Sequence, residues 1–439
     1  MLQSLTARLR LHPEHARILH GLVTVATFVG VAKVAGGLRE MAVAARYGVS
    51  PAIDGYVLLL NLIGWPAGVW TSVMTTALVP LLIQADYTDP AEARRFRSEA
   101  FGMTLIVAII AGLICFAALS AAVGDGQLGA APSVTAEALR QIPLLSATLA
   151  FGLAYSLLAA YLMAGRSYVN SLLDGVPALV ICIAVAAAAA RDVPVLLWAT
   201  AAGAAIQAAL SLIAQTGGAG ALRPRLSVRS RLWPTALRSS GLIALGQAAM
   251  SATVVLDQLF AARIGPGSNS TLGYSTRLTA LAISLGAISV SRALLPALSQ
   301  MTQTDGQRRL ALQWTGLLFL GGAAAALVGW LAAPTMIRLL YQHGQFTARD
   351  TAAVSGLFQY SLIQIPFYFA GMVMVQLLAS TQRYRRFLLL GLMNFAIKAA
   401  GLVLLVPSMG IAGIVLSTAL MYCFSTSFLV FTFAREARA

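Results

Sequence analysis

Apolar runs of about twenty residues or more recur along almost the whole of this 439-residue chain. Lipid offers no partner for backbone N–H and C=O groups, so a run of that length crosses a bilayer as a helix. Twelve helices are predicted, at about 21–47, 53–84, 98–124, 136–164, 167–190, 193–215, 239–264, 271–301, 309–334, 350–380, 385–407 and 409–434. Several exceed the ~20 residues needed to cross, and are expected to tilt or to run past the membrane. Pro66, Pro80, Pro143, Pro177, Pro296 and Pro366 fall in or near these helices, where a missing backbone donor can kink them. Only 10% of residues are charged, against roughly 25% in a soluble protein. The expected fold class is therefore an all-α polytopic membrane protein.

A net charge of +15 in a soluble chain would point to nucleic acid. Here the arginines sit in short loops between apolar runs, and they report orientation instead. One side collects Arg8, Arg10, Arg17, Arg94, Arg95, Arg97, Arg166, Arg223, Arg225, Arg229, Arg231, Arg238, Arg308, Arg309, Arg383, Arg385, Arg386, Arg435 and Arg438. The other side holds Arg191, Arg338 and Arg349, with Arg46 and Arg263 at helix ends. The positive-inside rule then puts both termini in the cytoplasm and Tyr341–Asp350 outside. The first run carries charges in its middle and precedes no soluble domain, so no cleaved leader is expected.

The two halves of the chain repeat each other. Glu40, Ala44-Ala45-Arg46 and Gly48 correspond to Asp257, Ala261-Ala262-Arg263 and Gly265. Gly55-Tyr56 corresponds to Gly273-Tyr274, and Gln141-Ile142-Pro143 to Gln364-Ile365-Pro366. Val79-Pro80, Arg94-Arg95 and Tyr168 have counterparts in Leu295-Pro296, Arg308-Arg309 and Tyr384. Six predicted helices separate the repeats, an even number, so both halves have the same orientation. Parallel repeats pack about an axis along the membrane normal, with a substrate path between them. The expected organisation is a basic segment 1–20, a six-helix lobe 21–220, a basic linker 221–238, a second six-helix lobe 239–434 and a tail 435–439. The linker reads as a solvated topology anchor, or as a segment lying on anionic lipid.

Ionisable residues inside the apolar runs are few: Lys33, Arg39, Glu40, Asp54, Asp174, Asp257, Arg277, Arg292 and Lys398. A charge at membrane depth costs several kcal/mol, roughly 3 to more than 10, so it faces a wet cavity or a partner. Lys33, Arg39 and Arg277 make a candidate basic lining for an anionic substrate, since guanidinium forks suit phosphate oxygens. Glu40, Asp54 and Asp257 are candidate charge partners in that cavity. The alternatives are that Lys33 and Arg39 snorkel to an interface, or that Glu40 or Asp257 simply neutralises Arg39. Asp54 and Asp174 lie near helix ends and also read as caps or loop anchors. Arg292 is close enough to its helix end to snorkel.

No catalytic constellation and no Gly-rich phosphate loop is present in the sequence. Cys115, Cys182 and Cys423 have neither metal nor redox spacing, and His12, His15, His20 and His343 form no ligand pattern. No cofactor and no metal site is expected. Any work done by the chain must come from a gradient, the membrane potential or downhill flux.

Several motifs resemble the lipid II flippase (MurJ/MviN-type) family of the multidrug/oligosaccharidyl-lipid/polysaccharide exporter superfamily. They are KVAGGLREMAVAARYG and AIDGYVLLLNL in the first two predicted helices, ALVPLL at Ala77–Leu82 and LDQLFAARIG at Leu256–Gly265. YSTRLTALAISLGAISVSRALLPALS in the eighth helix and the distinctive LLYQHGQFTARDT at Leu339–Thr351 complete the set. The resemblance implies two six-helix lobes and alternating access in a bacterial inner membrane. The implied cargo is an undecaprenyl-pyrophosphate-linked saccharide, with lipid II or an exopolysaccharide or O-antigen unit as the choices. It also implies contact with membrane lipids and with envelope-polymer machinery as partners, and none with nucleic acid. The family's essential basic residues fall on Lys33, Arg39 and Arg277.

Three departures stand out. A basic residue that the family carries late in its second helix falls near Ala67-Gly68. The family's two further C-terminal helices have no counterpart after the twelfth. An acidic residue late in helix eleven is replaced by Lys398. In sodium-binding relatives that acid, an Asn one turn earlier and an acid in helix seven surround the ion; here Asn394 and Asp257 hold the other two places. A lysine only donates, so it cannot ligate a cation but can replace one. The expectation is a tether of Asp257, Asn394 and Lys398 joining helices seven and eleven, with Asn394 accepting one ammonium proton and transport independent of sodium. Its alternative is that Lys398 snorkels or joins the substrate path. A cation-coupled drug extruder would want an acidic, aromatic core, and a mere scaffold would not need the buried cations.

Overall fold

In the computed structural model the residues described are all except 1–12, 166, 168, 189–192, 217–221, 300–303, 381–383 and 437–439. Side chains are further described outside 13–26, 216, 242, 285, 287–299, 304–309, 376, 378–380, 384–388 and 436. Among the residues singled out above, Arg8, Arg10, His12, Arg166, Tyr168, Arg191, Arg383 and Arg438 lie outside the described residues, and His15, Arg17, His20, Arg292, Leu295, Pro296, Arg308, Arg309, Tyr384, Arg385 and Arg386 lie outside the described side chains.

The helices are α1 (Pro13–Tyr47), α2 (Pro51–Val73), α3 (Val79–Thr88), α4 (Pro90–Gly124), α5 (Pro132–Ala164), α6 (Val169–Leu173), α7 (Val176–Ala187) and α8 (Val193–Thr216). The second half adds α9 (Trp233–Ile264), α10 (Ser268–Ser299), α11 (Thr304–Tyr341), α12 (Ala348–Leu362), α13 (Gln364–Ser380), α14 (Tyr384–Met409) and α15 (Ile411–Glu436). Joined end to end where only a break intervenes, they trace the twelve predicted rods. Ten stretches among the described residues are long and apolar enough to cross a membrane. The chain is a multi-pass, all-helical membrane protein.

Departures from the predicted bounds have local causes. α4 starts about two turns before the apolar run, because Asp89 Oδ1 caps it, accepting from Ala91 N (3.1 Å) and Glu92 N (3.0 Å). Pro90 then occupies the first turn, where no donor is missed. The predicted start at 98 follows the apolar run and leaves out Arg94, Arg95 and Arg97, but charges outside the hydrocarbon do not end a helix. Between α2 and α3 the chain winds as a π-helix over Met74–Leu78. Pro80 follows it, and a proline ring clashes with the carbonyl four residues earlier; the wider turn gives that carbonyl room. The tenth rod breaks at Ile363, just before Gln364-Ile365-Pro366, while the repeat-related Pro143 lies inside a continuous α5. Gly48 (φ 59°) and Gly265 (φ 143°) end α1 and α9 with a backbone that L side chains resist, so the sequence repeat is also a repeat of turn chemistry.

The chain divides into two compact units. The first comprises residues 1–43, 66–121 and 141–244; the second comprises 44–65, 122–140 and 245–439. In the first unit Phe96, Phe101, Leu157, Leu158 and Tyr161 pack α4 against α5. Along α4, Ile109, Ile110, Leu113 and Ile114 are at least half exposed, as lipid-facing side chains should be. In the second unit Val373, Met374, Leu377, Leu429 and Phe433 pack α13 against α15. Ala261, Leu272, Leu402 and Ile414 join α9, α10, α14 and α15. The second unit thus holds the end of the first rod and the start of the second, the segment 122–140 and most of the second half of the chain.

Candidate functional site

In the first unit, Arg39 donates from Nε to Glu40 Oε1 (2.9 Å) and from a terminal nitrogen to the same oxygen. Glu40 is buried, while the Arg39 side chain keeps 28% of its exposure. Of the two neutralising partners open to Arg39, the structure uses Glu40. Lys33, two turns earlier on α1, is exposed. Its charge acts on Asp174, which also accepts from the Tyr155 hydroxyl. A close crossing puts them side by side: a Cβ on Gly175 would lie 3.0 Å from Ala32 Cα, so only glycine lets α1 approach there. Asp174 and Tyr155 belong to the surroundings of Lys33. The sequence placed Asp174 at a helix end without assigning it a cation, because the crossing at Gly175 is not visible in one dimension.

Arg277 lies in the second unit, half-buried on α10 and nine residues from its start, about 13 Å at 1.5 Å per residue. At the position where the family resemblance expects a further basic residue, Ala67 packs near Gly152 of α5. Small side chains fill that crossing.

Lys398 of α14 is 1% exposed. Its ammonium lies 2.6 Å from Asp257 Oδ1 of α9. Its hydrogen bonds go to Ile414 O (2.9 Å), Ser417 Oγ (2.9 Å) and Thr418 Oγ1 (2.6 Å), all on α15, where it is the donor. Four oxygens thus surround three protons. This differs from the expectation in one respect: the Asn394 Oδ1 is buried without a hydrogen-bond partner among the described residues, and does not accept from Lys398. Asn394 instead lines a cavity of about 280 Å³ with Tyr368, Tyr422, Met250 and Thr426. The ammonium takes its neutral acceptors from α15 because Ser417 and Thr418 sit one turn beyond the Ile414 carbonyl. A sodium ion does not fit here, since Lys398 Nζ occupies the centre of the oxygen cage.

Asp54 is 1% exposed and serves as a cap. Its carboxylate accepts from Ser270 N (2.8 Å), Ser270 Oγ (2.7 Å) and Gly267 N, the donors that open α10. A carboxylate at a helix N-terminus also meets the positive end of its dipole. Asp54 thus acts through the start of α10, the loop-anchor alternative. The motif at Leu339–Thr351 forms a turn against the end of α1. Gln345 N donates to Ala45 O (2.8 Å), and a Cβ on Gly344 would fall 2.1 Å from that oxygen. Tyr274 Oη donates to Gly48 O (3.1 Å) and packs against Tyr341 and Phe346. Thr347 and Asp350 close a capping box on α12. The C-terminal end of α1 is thereby seated on the loop before α12.

Residues 69–439 match the family described as "Lipid II flippase MurJ". The chain belongs to the MurJ lipid II flippase family. Among curated MurJ relatives, probable lipid II flippases of Helicobacter pylori are 27% identical over 184 residues, 40% of this chain and 39% of theirs. That of Bdellovibrio bacteriovorus is 29% identical over 184 residues, 40% of this chain and 34% of its own. The chain therefore spans about two fifths of the length of the curated relatives it matches. Among solved structures, a lipid II flippase MurJ in an inward closed conformation superposes with a TM-score of 0.80 at 17% identity, covering 93% of this chain and 87% of that one. An inward-facing multidrug MATE transporter of the MOP superfamily gives 0.68 at 14% identity, covering 94% of each. The shared architecture is the MOP exporter fold.

Proposed function

We propose that the chain flips an undecaprenyl-pyrophosphate-linked saccharide across the bacterial inner membrane by alternating access, without covalent chemistry. The observation that carries this reading is a pair of cations, Lys33 and Arg39, kept accessible within an apolar helix of a MurJ family member. In the proposed mechanism Lys33 and Arg39, with Arg277 of the other unit, clamp the pyrophosphate. Glu40 and Asp174 hold the cations in place while the site is empty, and the arriving anion competes with them. Guanidinium forks then grip phosphate oxygens in two-point geometry. The seat of α1 on the loop around Gly344 and Gln345 serves as the outer seal that must part for release.

The two six-helix lobes, cytoplasmic termini and contacts with envelope-polymer enzymes belong to the same proposal. Lipid II is the first choice of cargo, from the family; Ala67 in place of a cation favours a related lipid-linked oligosaccharide as the second. Complementation of a strain depleted of its lipid II flippase tests the choice. Growth rescue supports lipid II. No rescue by a protein that accumulates in the membrane, with flipping of an O-antigen unit in vesicles, selects the second. Flipping of neither overturns the reading. Orientation is tested by impermeant maleimide: a cysteine at Gln345 should label in spheroplasts and one at Arg229 should not, with Cys115, Cys182 and Cys423 replaced by serine.

A further inference from the structure

The basic segment between the two halves of the sequence is tied down rather than free. Residues 222–230 run without helix across the start of α4. Arg225 N donates to Ser98 O (2.9 Å), and a Cβ on Gly102 would fall 2.4 Å from Arg225 O, so backbone lies directly on helix. Glu99, fully buried, accepts from Ser227 Oγ (2.6 Å), Ser230 N (3.0 Å) and Trp233 Nε1 (2.9 Å), and from Arg95 Nε (3.2 Å) of its own helix. Glu92 accepts from Ser230 Oγ (2.8 Å) and Arg231 N (2.6 Å). Phe96 meets the Trp233 ring edge-on at 5.1 Å.

The charge balance of this seat is unusual. Both carboxylates beneath the strap are engaged by its hydroxyls, backbone amides and indole, and by Arg95, not by its own guanidiniums. Arg223, Arg225, Arg229 and Arg231 are exposed, and none forms an ion pair among the described residues. Between them Leu226 is 72% and Val228 62% exposed. Four cations and two aliphatic side chains thus face away from the protein on a backbone that is fixed.

The depth of the strap says what they face. It crosses α4 at Ser98–Gly102, where the charged first turns give way to the apolar run. Ile106, the first of the exposed aliphatics along α4, is four residues further on, about 6 Å along the axis. Lipid headgroups form a layer of about that thickness outside the hydrocarbon. We infer that the strap is a docking surface for anionic lipid headgroups, with Arg223, Arg225, Arg229 and Arg231 pairing with lipid phosphates and Leu226 and Val228 reaching the acyl boundary. Glu92 and Glu99 act as positioning residues that hold this face outward. Such basic segments beside a membrane are drawn to anionic lipid.

The test is phosphatidylglycerol binding to the purified full chain in neutral-detergent mixed micelles, read by native mass spectrometry. Phosphatidylcholine serves as the neutral lipid and inorganic phosphate as a soluble anion. The wild type should retain phosphatidylglycerol over phosphatidylcholine. Changing all four arginines to glutamine should weaken that retention about tenfold or more and leave phosphatidylcholine unchanged. The four-lysine variant, which keeps the charge, should bind within a few-fold of wild type. Gly102→Leu, which lifts the strap but keeps every arginine, should weaken retention to an intermediate degree. Equal retention by the glutamine variant would overturn the inference. So would equal loss in the glutamine and lysine variants, which would indicate damage to the fold, or displacement of the lipid by phosphate at matched concentration, which would indicate a soluble-anion site.

Discussion

The two units of the molecule treat a lysine inside a transmembrane rod in opposite ways. In the second unit Lys398 is 1% exposed and encircled by Asp257, Ile414 O, Ser417 and Thr418. In the first unit Lys33 is exposed beside Asp174, and Arg39 stays 28% exposed beside Glu40. Both arrangements put a carboxylate near a cation, but only one leaves the cation room to receive another anion. An enclosed pair ties helices together; a cation with accessible surface can be reached by a substrate anion. Accessible surface on the cation, more than the presence of a counter-charge, separates the two roles.

The sharpest way to break this comparison is to remove the enclosed cation. Lys398→Met should destabilise the protein by about 3–5 kcal/mol, because Asp257 is left buried without its partner. Adding Asp257→Asn should restore most of that loss, since no lone charge remains. Thermal unfolding in detergent measures both. Equal destabilisation of the single and double variants would mean that the pair is not coupled.

On the open side the effect should fall on transport instead. Arg39→Ala should lower flipping in vesicles at least tenfold, equivalent to about 1.4 kcal/mol, with normal accumulation in the membrane. Arg39→Lys should be partly impaired, because a point charge loses the two-point grip. Arg277→Ala should behave like Arg39→Ala if both hold one pyrophosphate. Wild-type flux in the Arg39→Ala/Arg277→Ala double variant would leave the clamp without support. A smaller effect belongs to Asp54→Asn: weakening the cap of α10 should cost about 1 kcal/mol, seen as a modest fall in melting temperature.

The rods were legible because hydrocarbon demands a continuous apolar run, and that demand is written locally. Their ends were less so: α4 begins at Asp89-Pro90, a capping signal outside the apolar run, and the tenth rod breaks at Ile363. The pairing of Lys398 with Asp257 followed from two charges that hydrocarbon cannot leave alone. That Asn394 would stand aside did not, because Asn394 and Lys398 share a helix face, yet rotation of α14 turns the ammonium toward α15. Asp174 was visible as a charge, but its place beside Lys33 depends on the crossing at Gly175. The serines that fix the strap carry no sequence signal at all until Glu92 and Glu99 are seen beneath them.

The smallest expected effect is none, and it is the most specific consequence of the enclosed lysine. Four oxygens at 2.6–2.9 Å around Lys398 Nζ make a cage that a monovalent cation would otherwise suit. The ammonium is covalently resident and brings the positive charge that Asp257 requires. Replacing sodium with choline at fixed membrane potential should therefore leave flux unchanged within error. A strong loss of flux in the wild type would show that sodium acts elsewhere or that the ammonium leaves the cage during the cycle. Lys398→Asp carries the argument one step further. It removes the resident charge and adds a carboxylate to the remaining oxygens, a set suited to a hard cation. Without sodium this variant should melt well below wild type, because two carboxylates face each other in a buried site. Added sodium should recover part of the difference, and choline none. Recovery equal in both salts would reduce the effect to ionic strength. No recovery in either would mean that the cage collapses once the lysine is gone, so that Lys398 builds the site as well as filling it.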